Sequence, residues 1–135
     1  MLRLCAVLSL LLATLVLVAA GCGGSDESEE DSATPAEAVT EIGEIKTLLG
    51  TAVDQVRSGD ADAAEETVGD AYLEHFESVE DPLGERDHEL MEELEEAIST
   101  DLRDDIKAGK SADEIATKVD EVKADLDKAV ELLQG

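Results

Sequence analysis

Both histidines, the only tyrosine and the only phenylalanine of this chain lie between residues 70 and 95, among many carboxylates. Wound as a helix at about 100° per residue, this stretch aligns apolar residues along one face. Glu80 falls at the edge of that face, and Asp87 and Glu95 fall within the apolar stripes that follow. An ionised carboxylate in such a position must be paired, bind a metal or shift its pKa. These three carboxylates are the strongest chemical signal in the sequence.

Glu77 and Glu80 are three residues apart, which on a helix brings their Cβ atoms within roughly 5–6 Å of each other. Two such carboxylates can share a hard cation such as ferric iron, Ca²⁺ or Mn²⁺, which favour oxygen ligands. Asp87 or Glu95 would complete the site, because metal sites in helix bundles draw their ligands from facing helices. The alternative is a solvated acidic face, and for Glu77 alone this alternative is preferred.

The aromatic and histidine side chains of the same stretch are weaker candidates. Glu85 and His88 have the Glu-x-x-His spacing of a di-iron ligand pair, but such a site needs a second pair. His75 has no acid three residues before it, and is either a surface residue or a ligand. Tyr72 is expected to be a core ring with its hydroxyl bonded to a carboxylate, the alternative being ligation of ferric iron.

Catalytic motifs are missing from the sequence. It contains no plausible nucleophile, no glycine-rich phosphate loop and no cofactor fingerprint. Interior carboxylates could serve as a general acid or base, but nothing implies a substrate cleft. The chain is therefore not predicted to be an enzyme.

The N-terminus has the layout of a bacterial secretory signal. A basic start is followed by an apolar run over residues 4–20 and by small residues before Cys22. We predict a lipoprotein signal peptide over residues 1–21, with Cys22 lipid-modified and the rest of the chain tethered to the membrane on its extracytoplasmic side. The alternative is an uncleaved anchor, which is disfavoured because the run is near the lower limit of about 17 residues for a membrane span.

The chain is strongly acidic, with 35 Asp and Glu against 10 Lys and Arg and a formal charge of −25. Loss of Arg3 with the signal peptide would make this charge −26. Nucleic acid is excluded as a partner, because neutralising phosphates requires Lys and Arg. A field of this sign attracts cations and basic proteins. Solubility or a saline habitat is the preferred explanation of the bulk charge.

Residues 22–33 are predicted to be the lipidated cysteine and a disordered acidic linker, and residues 34–135 to be one helical domain. Helix one should begin at a capping box formed by Thr34 and Glu37 and end at Gly59. Helix four should open with a second capping box, Ser111-x-x-Glu114. Its inward positions are expected to be Ile115, Val119, Val122, Leu126, Ala129 and Leu133.

The two middle helices are less clearly bounded. Helix two should begin at Asp60 and end or kink at Asp81–Pro82, because proline disfavours helix in the residue before it. Helix three should begin within 82–86 and end at Ala108, before Gly109. No segment alternates with a period of two, so no strands are expected. Short connections make successive helices antiparallel neighbours, which predicts an all-α, up-and-down four-helix bundle.

The stretch from 71 to 109 resembles a known family, the extracytoplasmic helical domain that precedes the membrane part of bacterial high-affinity iron permeases. The residues that carry the resemblance are Ala71, Tyr72, Phe76, Glu77, Val79, Glu80, Pro82, Leu83, Asp87, Leu90, Leu94, Glu95, Leu102, Arg103, Ile106 and Gly109. It implies a role in iron uptake, with Glu77, Glu80, Asp87 and Glu95 at the acidic positions of the family.

The resemblance does not extend to the permease helices. It therefore implies a lipid-tethered relative that binds or hands over iron, or docks on a permease, rather than a transporter. The leading hypothesis is an envelope lipoprotein that binds metal, with iron as its expected cofactor. The alternative is a metal-free acidic interaction module on the cell envelope, which would bind a basic partner protein.

Overall fold

The computed structural model describes residues 33–135, which form four helices and contain no strand. The predicted signal segment 1–21, Cys22 and the linker up to residue 32 lie outside the described residues. The helices, in chain order, are α1 (Pro35–Ser58), α2 (Ala61–Asp70, Ala71–Phe76 and Glu77–Gly84, continuous), α3 (His88–Glu96, Ala97–Asp101 and Leu102–Lys107, continuous) and α4 (Ala112–Gln134).

The first turns of α1 and α4 confirm both predicted capping boxes. Thr34 accepts a hydrogen bond from the Glu37 backbone N–H, and the Glu37 carboxylate accepts one from the Thr34 N–H at 2.8 Å. Ser111 and Glu114 repeat this arrangement. In both boxes the hydrogen bonds from the hydroxyl and the backbone lower the pKa of the glutamate.

Glycine closes two of the connections, as predicted. Gly59 after α1 and Gly109 after α3 have φ values of 87° and 72°. This left-handed conformation costs glycine little, and it lets the backbone N–H bond to the last carbonyls of the helix. Both helix ends are therefore specified locally.

The break between α2 and α3 differs from the prediction. The helix does not end at Asp81–Pro82 but passes through Pro82 to Gly84, and the next helix begins at His88. Pro82 lies near the end of α2, where its missing N–H removes a helical hydrogen bond only shortly before the helix stops. Its ring is buried beside Leu83, which offsets part of that loss.

Two wide π-helical turns, which were not predicted, interrupt the α-helical geometry of α2 and α3. The backbone N–H of Glu77 bonds to the carbonyl of Tyr72, and the N–H of Leu102 bonds to that of Ala97. Each bond spans five residues instead of four, so each turn holds an extra residue.

The core positions explain where these turns occur. Ala71 and Phe76 are both fully buried although they are five residues apart, a spacing that a π turn aligns and an α-helix does not. In α3 every fourth residue is buried, and in an ideal α-helix such a stripe drifts by about 40° per step. One wide turn corrects part of this drift. The residues of the stripe are Leu90, Leu94, Ile98, Leu102 and Ile106.

The four helices enclose one apolar core. Helix α1 packs against α2 and α4, α2 packs against α3, and α3 packs against α4. All six inward positions predicted for α4 are buried. The largest fully buried side chains are Phe76, Ile42, Ile45, Leu49, Leu83, Leu94, Ile98, Leu102, Ile115 and Leu126.

Ion pairs join the helices around this core. Arg103 of α3 bonds to Glu65 of α2 at 2.9 Å, and Lys107 approaches the same carboxylate at 3.0 Å. Between α3 and α4, Lys118 pairs with Asp101. Within residues 33–135 no helix combines the length and the apolar character needed to cross a membrane.

Candidate functional site

Tyr72, Glu80 and Glu95 lie together where α2 packs on α3. Tyr72 is in the π turn of α2, Glu80 is two helical turns later, and Glu95 lies two residues before the π turn of α3. The two π turns are in contact with each other. The Tyr72 hydroxyl donates to Oε1 of Glu95 across 3.5 Å, and its ring stacks on buried Phe76 with centroids 6.1 Å apart.

Glu80 has the most unfavourable environment of the three. It is half-buried, and its Oε1 is enclosed and accepts no hydrogen bond. Burial raises the pKa of Glu80, and the negative charge of Glu95 raises it further. The nearby Tyr72 hydroxyl acts in the opposite direction and partly offsets this increase in pKa. The group is therefore a carboxylate with an unused oxygen beside a second carboxylate.

The same surroundings also change the pKa of Tyr72. Burial raises the pKa of its hydroxyl to about 12, with further contributions from the charges of Glu80 and Glu95. The phenol is consequently protonated at neutral pH and acts as a hydrogen-bond donor. As predicted, Tyr72 packs its ring toward the core and places its hydroxyl against a carboxylate.

Glu77 belongs to the periphery of this group. Its side chain is exposed, yet its charge raises the pKa of both Tyr72 and Glu80. We refer to Tyr72, Glu77, Glu80 and Glu95 as the Tyr72 cluster. It contains three of the four carboxylates that the sequence singled out for a metal site.

Asp87, the fourth predicted carboxylate, has a different role. It precedes α3 with an extended backbone, φ −153°, and its Oδ1 accepts a hydrogen bond from the Leu90 N–H at 3.1 Å. Asp87 is thus the N-cap of α3, a position that aspartate favours strongly. It lies in line with the apolar stripe because it begins the helix, not because it points into the core.

The two histidines also lie apart from each other. His75 extends toward α1, where its Nδ1 is 2.6 Å from Oε2 of Glu41. His88 is 69% exposed and lies 3.4 Å from Glu92, one turn along α3. Glu85 is in the connection between α2 and α3, so Glu85 and His88 do not share a helical turn.

The burial expected for the carboxylates is only partly observed. Glu80, Asp87 and Glu95 are half-buried, and no polar or charged residue between 33 and 135 is fully buried. Within the same range no set of three or more His, Cys, Asp and Glu residues is arranged to hold a metal ion. The Tyr72 cluster as it stands offers two close carboxylates and a phenol.

Sequence reasoning missed Glu41, the partner of His75. The two residues are 34 positions apart and meet only because α1 packs against α2. Periodicity places His75 at the edge of a face, but it does not identify which residue on another helix lies opposite.

No protein-family model matches this chain, and no curated protein or solved structure is significantly similar to it. The resemblance to the iron permease domain therefore stays a prediction.

Proposed function

We propose that this protein binds a hard cation, with iron as the expected ion, through the carboxylates of the Tyr72 cluster. In this proposal Cys22 carries a lipid that holds the domain at the extracytoplasmic face of the membrane. The protein then supports iron uptake, either by holding the ion or by passing it to a permease.

The observation that carries the proposal is the enclosed Oε1 of Glu80. A half-buried carboxylate oxygen without a hydrogen bond is unfavourable, because its lost hydration is not replaced. A second carboxylate, Glu95, increases the cost through repulsion. A cation between Glu80 and Glu95 would remove both penalties, so the residues present fit a positively charged ligand.

Two carboxylates and a phenol do not fill the coordination of a hard cation. Glu77 can supply the third carboxylate, because its side chain is exposed and a change of rotamer costs little there. Asp87 fits this role poorly, since ligation by its carboxylate would compete with the cap of α3. Water would complete the coordination, as is common for oxygen-ligated ions.

The proposed architecture is an antiparallel, up-and-down bundle, and cross-helix contacts support it. Lys46 of α1 pairs with Asp127 of α4. Gly50, four residues further along α1, lies close to Lys123, which is four residues before Asp127 in α4. Arg86, which lies just before α3, contacts Leu132 of α4, and Asp101 of α3 pairs with Lys118 of α4. In both pairs of helices, the residue number increases along one helix as it decreases along the other.

Thermal unfolding with added metal ions tests the cation proposal. Ferric citrate, Fe²⁺ under anaerobic conditions, Mn²⁺ and Ca²⁺ are added at constant ionic strength, so that general screening of the acidic surface does not change. If an ion binds only the folded state, a concentration of about 100 times its Kd stabilises that state by about 2.7 kcal/mol. We expect a rise in melting temperature that Glu80→Gln abolishes.

Glu121→Gln is the matched control, because it removes one carboxylate from an exposed position on α4. This variant should keep the full shift in melting temperature. Elemental analysis of the dialysed protein provides an independent measure of bound metal. A melting temperature that no ion changes, or an equal shift in wild type and Glu80→Gln, would disprove the cation site.

A further inference from the structure

A shallow groove of about 480 Å³ runs between the first half of α3 and the last turns of α4. It is separate from the Tyr72 cluster, which lies where α2 packs on α3. The residues that line it are Asp87, Glu89, Leu90, Glu93, Lys128, Glu131 and Leu132. We call it the α3–α4 groove.

Its floor is apolar and accessible. Leu132 is 36% exposed, and among the large hydrophobic residues between 33 and 135 only Leu73 is more exposed. Leu90 lies beside it and belongs to the edge of the core, with 8% of its surface exposed. A single exposed leucine is ordinary on a protein surface, but here it lies within a concave site.

The rim of the groove is acidic. Four of its lining residues are carboxylates and one is a lysine, and Lys128 already pairs with Asp125 at 2.6 Å. Within residues 33–135, no cationic side chain forms a salt bridge with Glu89, Glu93 or Glu131. These three carboxylates are exposed and lie on both sides of the apolar floor.

One end of the groove is fixed by a contact between the α2–α3 connection and α4. The guanidinium of Arg86 donates a hydrogen bond to the carbonyl of Leu132, with a separation of 3.4 Å. Arg86 thus contacts the backbone of the floor residue. Three parts of the chain therefore form the groove: α3, α4 and the α2–α3 connection.

We propose that the α3–α4 groove docks a cationic amphipathic helix of a partner protein. Apolar side chains of that helix would cover Leu132 and Leu90, and its Lys and Arg residues would pair with Glu89, Glu93 and Glu131. Helix-in-groove recognition combines these two elements. The proposal is independent of the cation site, because it uses other residues on another interface of the domain.

Charge complementarity selects this occupant over two others. A second copy of the chain carries the same charge of −25 and would be repelled from an acidic rim. The acidic segment before residue 33 would be repelled for the same reason. A partner helix that is basic and apolar satisfies both the rim and the floor.

Fluorescence anisotropy with designed peptides tests the proposal. The probe is a labelled helical peptide of about 14 residues, with leucine at every third or fourth position and lysine between them. It is added to the full chain in a neutral detergent. We expect binding that weakens about tenfold when the NaCl concentration rises from about 50 to about 300 mM. A peptide with serine in place of leucine should bind at least about tenfold more weakly.

Two pairs of matched variants separate the groove from the overall charge. The triple variant Glu89→Gln, Glu93→Gln, Glu131→Gln should weaken binding about tenfold. The triple variant Glu44→Gln, Glu66→Gln, Glu121→Gln removes the same charge from exposed sites elsewhere and should weaken it by less than about twofold. Similarly, Leu132→Asn should weaken binding, whereas Leu73→Asn, at an exposed leucine on α2, should not.

The proposal fails if the two triple variants reduce affinity equally, because binding would then follow bulk charge alone. It also fails if the serine peptide binds as tightly as the leucine peptide, or if no peptide binds at low salt. Self-association of the chain that Leu132→Asn abolishes, without peptide binding, would assign the groove to a second copy and overturn the proposed occupant.

Discussion

The Tyr72 hydroxyl contacts Oε1 of Glu95 across 3.5 Å, and this contact joins the π turn of α2 to α3 at a position two residues before the π turn of α3. Wide turns of this kind occur frequently at functional sites, where the extra residue changes the direction of nearby side chains. Here the π turn of α2 supplies Tyr72, which interacts with Glu80, the only half-buried carboxylate between residues 33 and 135 with an enclosed oxygen that accepts no hydrogen bond. The local backbone irregularity and the electrostatic cost thus occur at one place.

Replacement of Glu80 should stabilise the metal-free protein. Glu80→Gln removes the repulsion from Glu95 and the cost of burying a charge, and we expect the free energy of unfolding at neutral pH to rise by about 0.5 kcal/mol, a small value because solvent screens this partly exposed site. Urea denaturation measures the change. Glu121→Gln should leave the free energy of unfolding unchanged, and a less stable Glu80→Gln would contradict the interpretation.

The same group predicts a pH dependence. The pKa of Glu80 in the folded state lies above its ordinary value of 4.5, so the folded state holds this proton more tightly than the unfolded state. This tighter binding of the proton stabilises the folded state fully below pH 4.5, and the stabilisation is lost as the pH rises through the folded-state pKa. Wild type should therefore lose more stability than Glu80→Gln over that interval. Urea denaturation at a series of pH values tests this, and parallel curves would contradict it.

Asp87 should stabilise the folded protein as the N-cap of α3. Asp87→Ala removes the hydrogen bond to the Leu90 N–H, and we expect a loss of about 1 kcal/mol in the free energy of unfolding. Asp87→Asn retains a capping oxygen and should lose only a few tenths. Both measurements are made by urea denaturation without metal. Equal losses in the two variants would show that the negative charge matters more than the cap.

The π turn of α2 should tolerate a shorter chain. Deletion of Leu73, which is 59% exposed, would reduce the spacing of Ala71 and Phe76 from five residues to four. An α-helix can keep both of them buried at that spacing, so we expect a cooperatively folded protein within about 2 kcal/mol of wild type. Deletion of Asp120 from regular α4 should instead rotate the following core positions by about 100° and prevent folding. Circular dichroism and urea denaturation distinguish the outcomes.

Salt should stabilise the domain. At a formal charge of −25 the compact state suffers self-repulsion, which counterions screen. We expect the melting temperature to rise by several degrees between about 0.05 and 0.5 M NaCl. The triple variant Glu89→Gln, Glu93→Gln, Glu131→Gln should show a smaller rise, because it carries less charge. A melting temperature that is independent of salt would contradict this explanation.

Local signals in the sequence predicted most of the helix ends. Thr34 with Glu37, Ser111 with Glu114, and the two left-handed glycines act through neighbours in the chain, so short motifs are sufficient to recognise them. Pro82 does not mark the end of α2, because the cost of a proline depends on how soon the helix ends and on whether its ring is buried, and both depend on tertiary packing.

The site was predicted less completely. Glu80 and Glu95 were identified from their positions beside apolar stripes, and the structure brings them together through Tyr72. Asp87 was grouped with them because periodicity alone does not separate a capping residue from an interior one. The π turns were not predicted, because Val68, Tyr72 and Phe76 follow ordinary four-residue steps in the sequence.

The start of α1 and the last turn of α4 share one end of the domain, where Pro35 and Val39 line a cavity with Leu133 and Gln134. A short peptide joining residue 135 to residue 33 could therefore close the backbone into a ring without crossing the molecule. That ring could be reopened at Gly59 or Gly109, both in exposed turns. The order in which the helices are synthesised would then change, while each helix kept its neighbours.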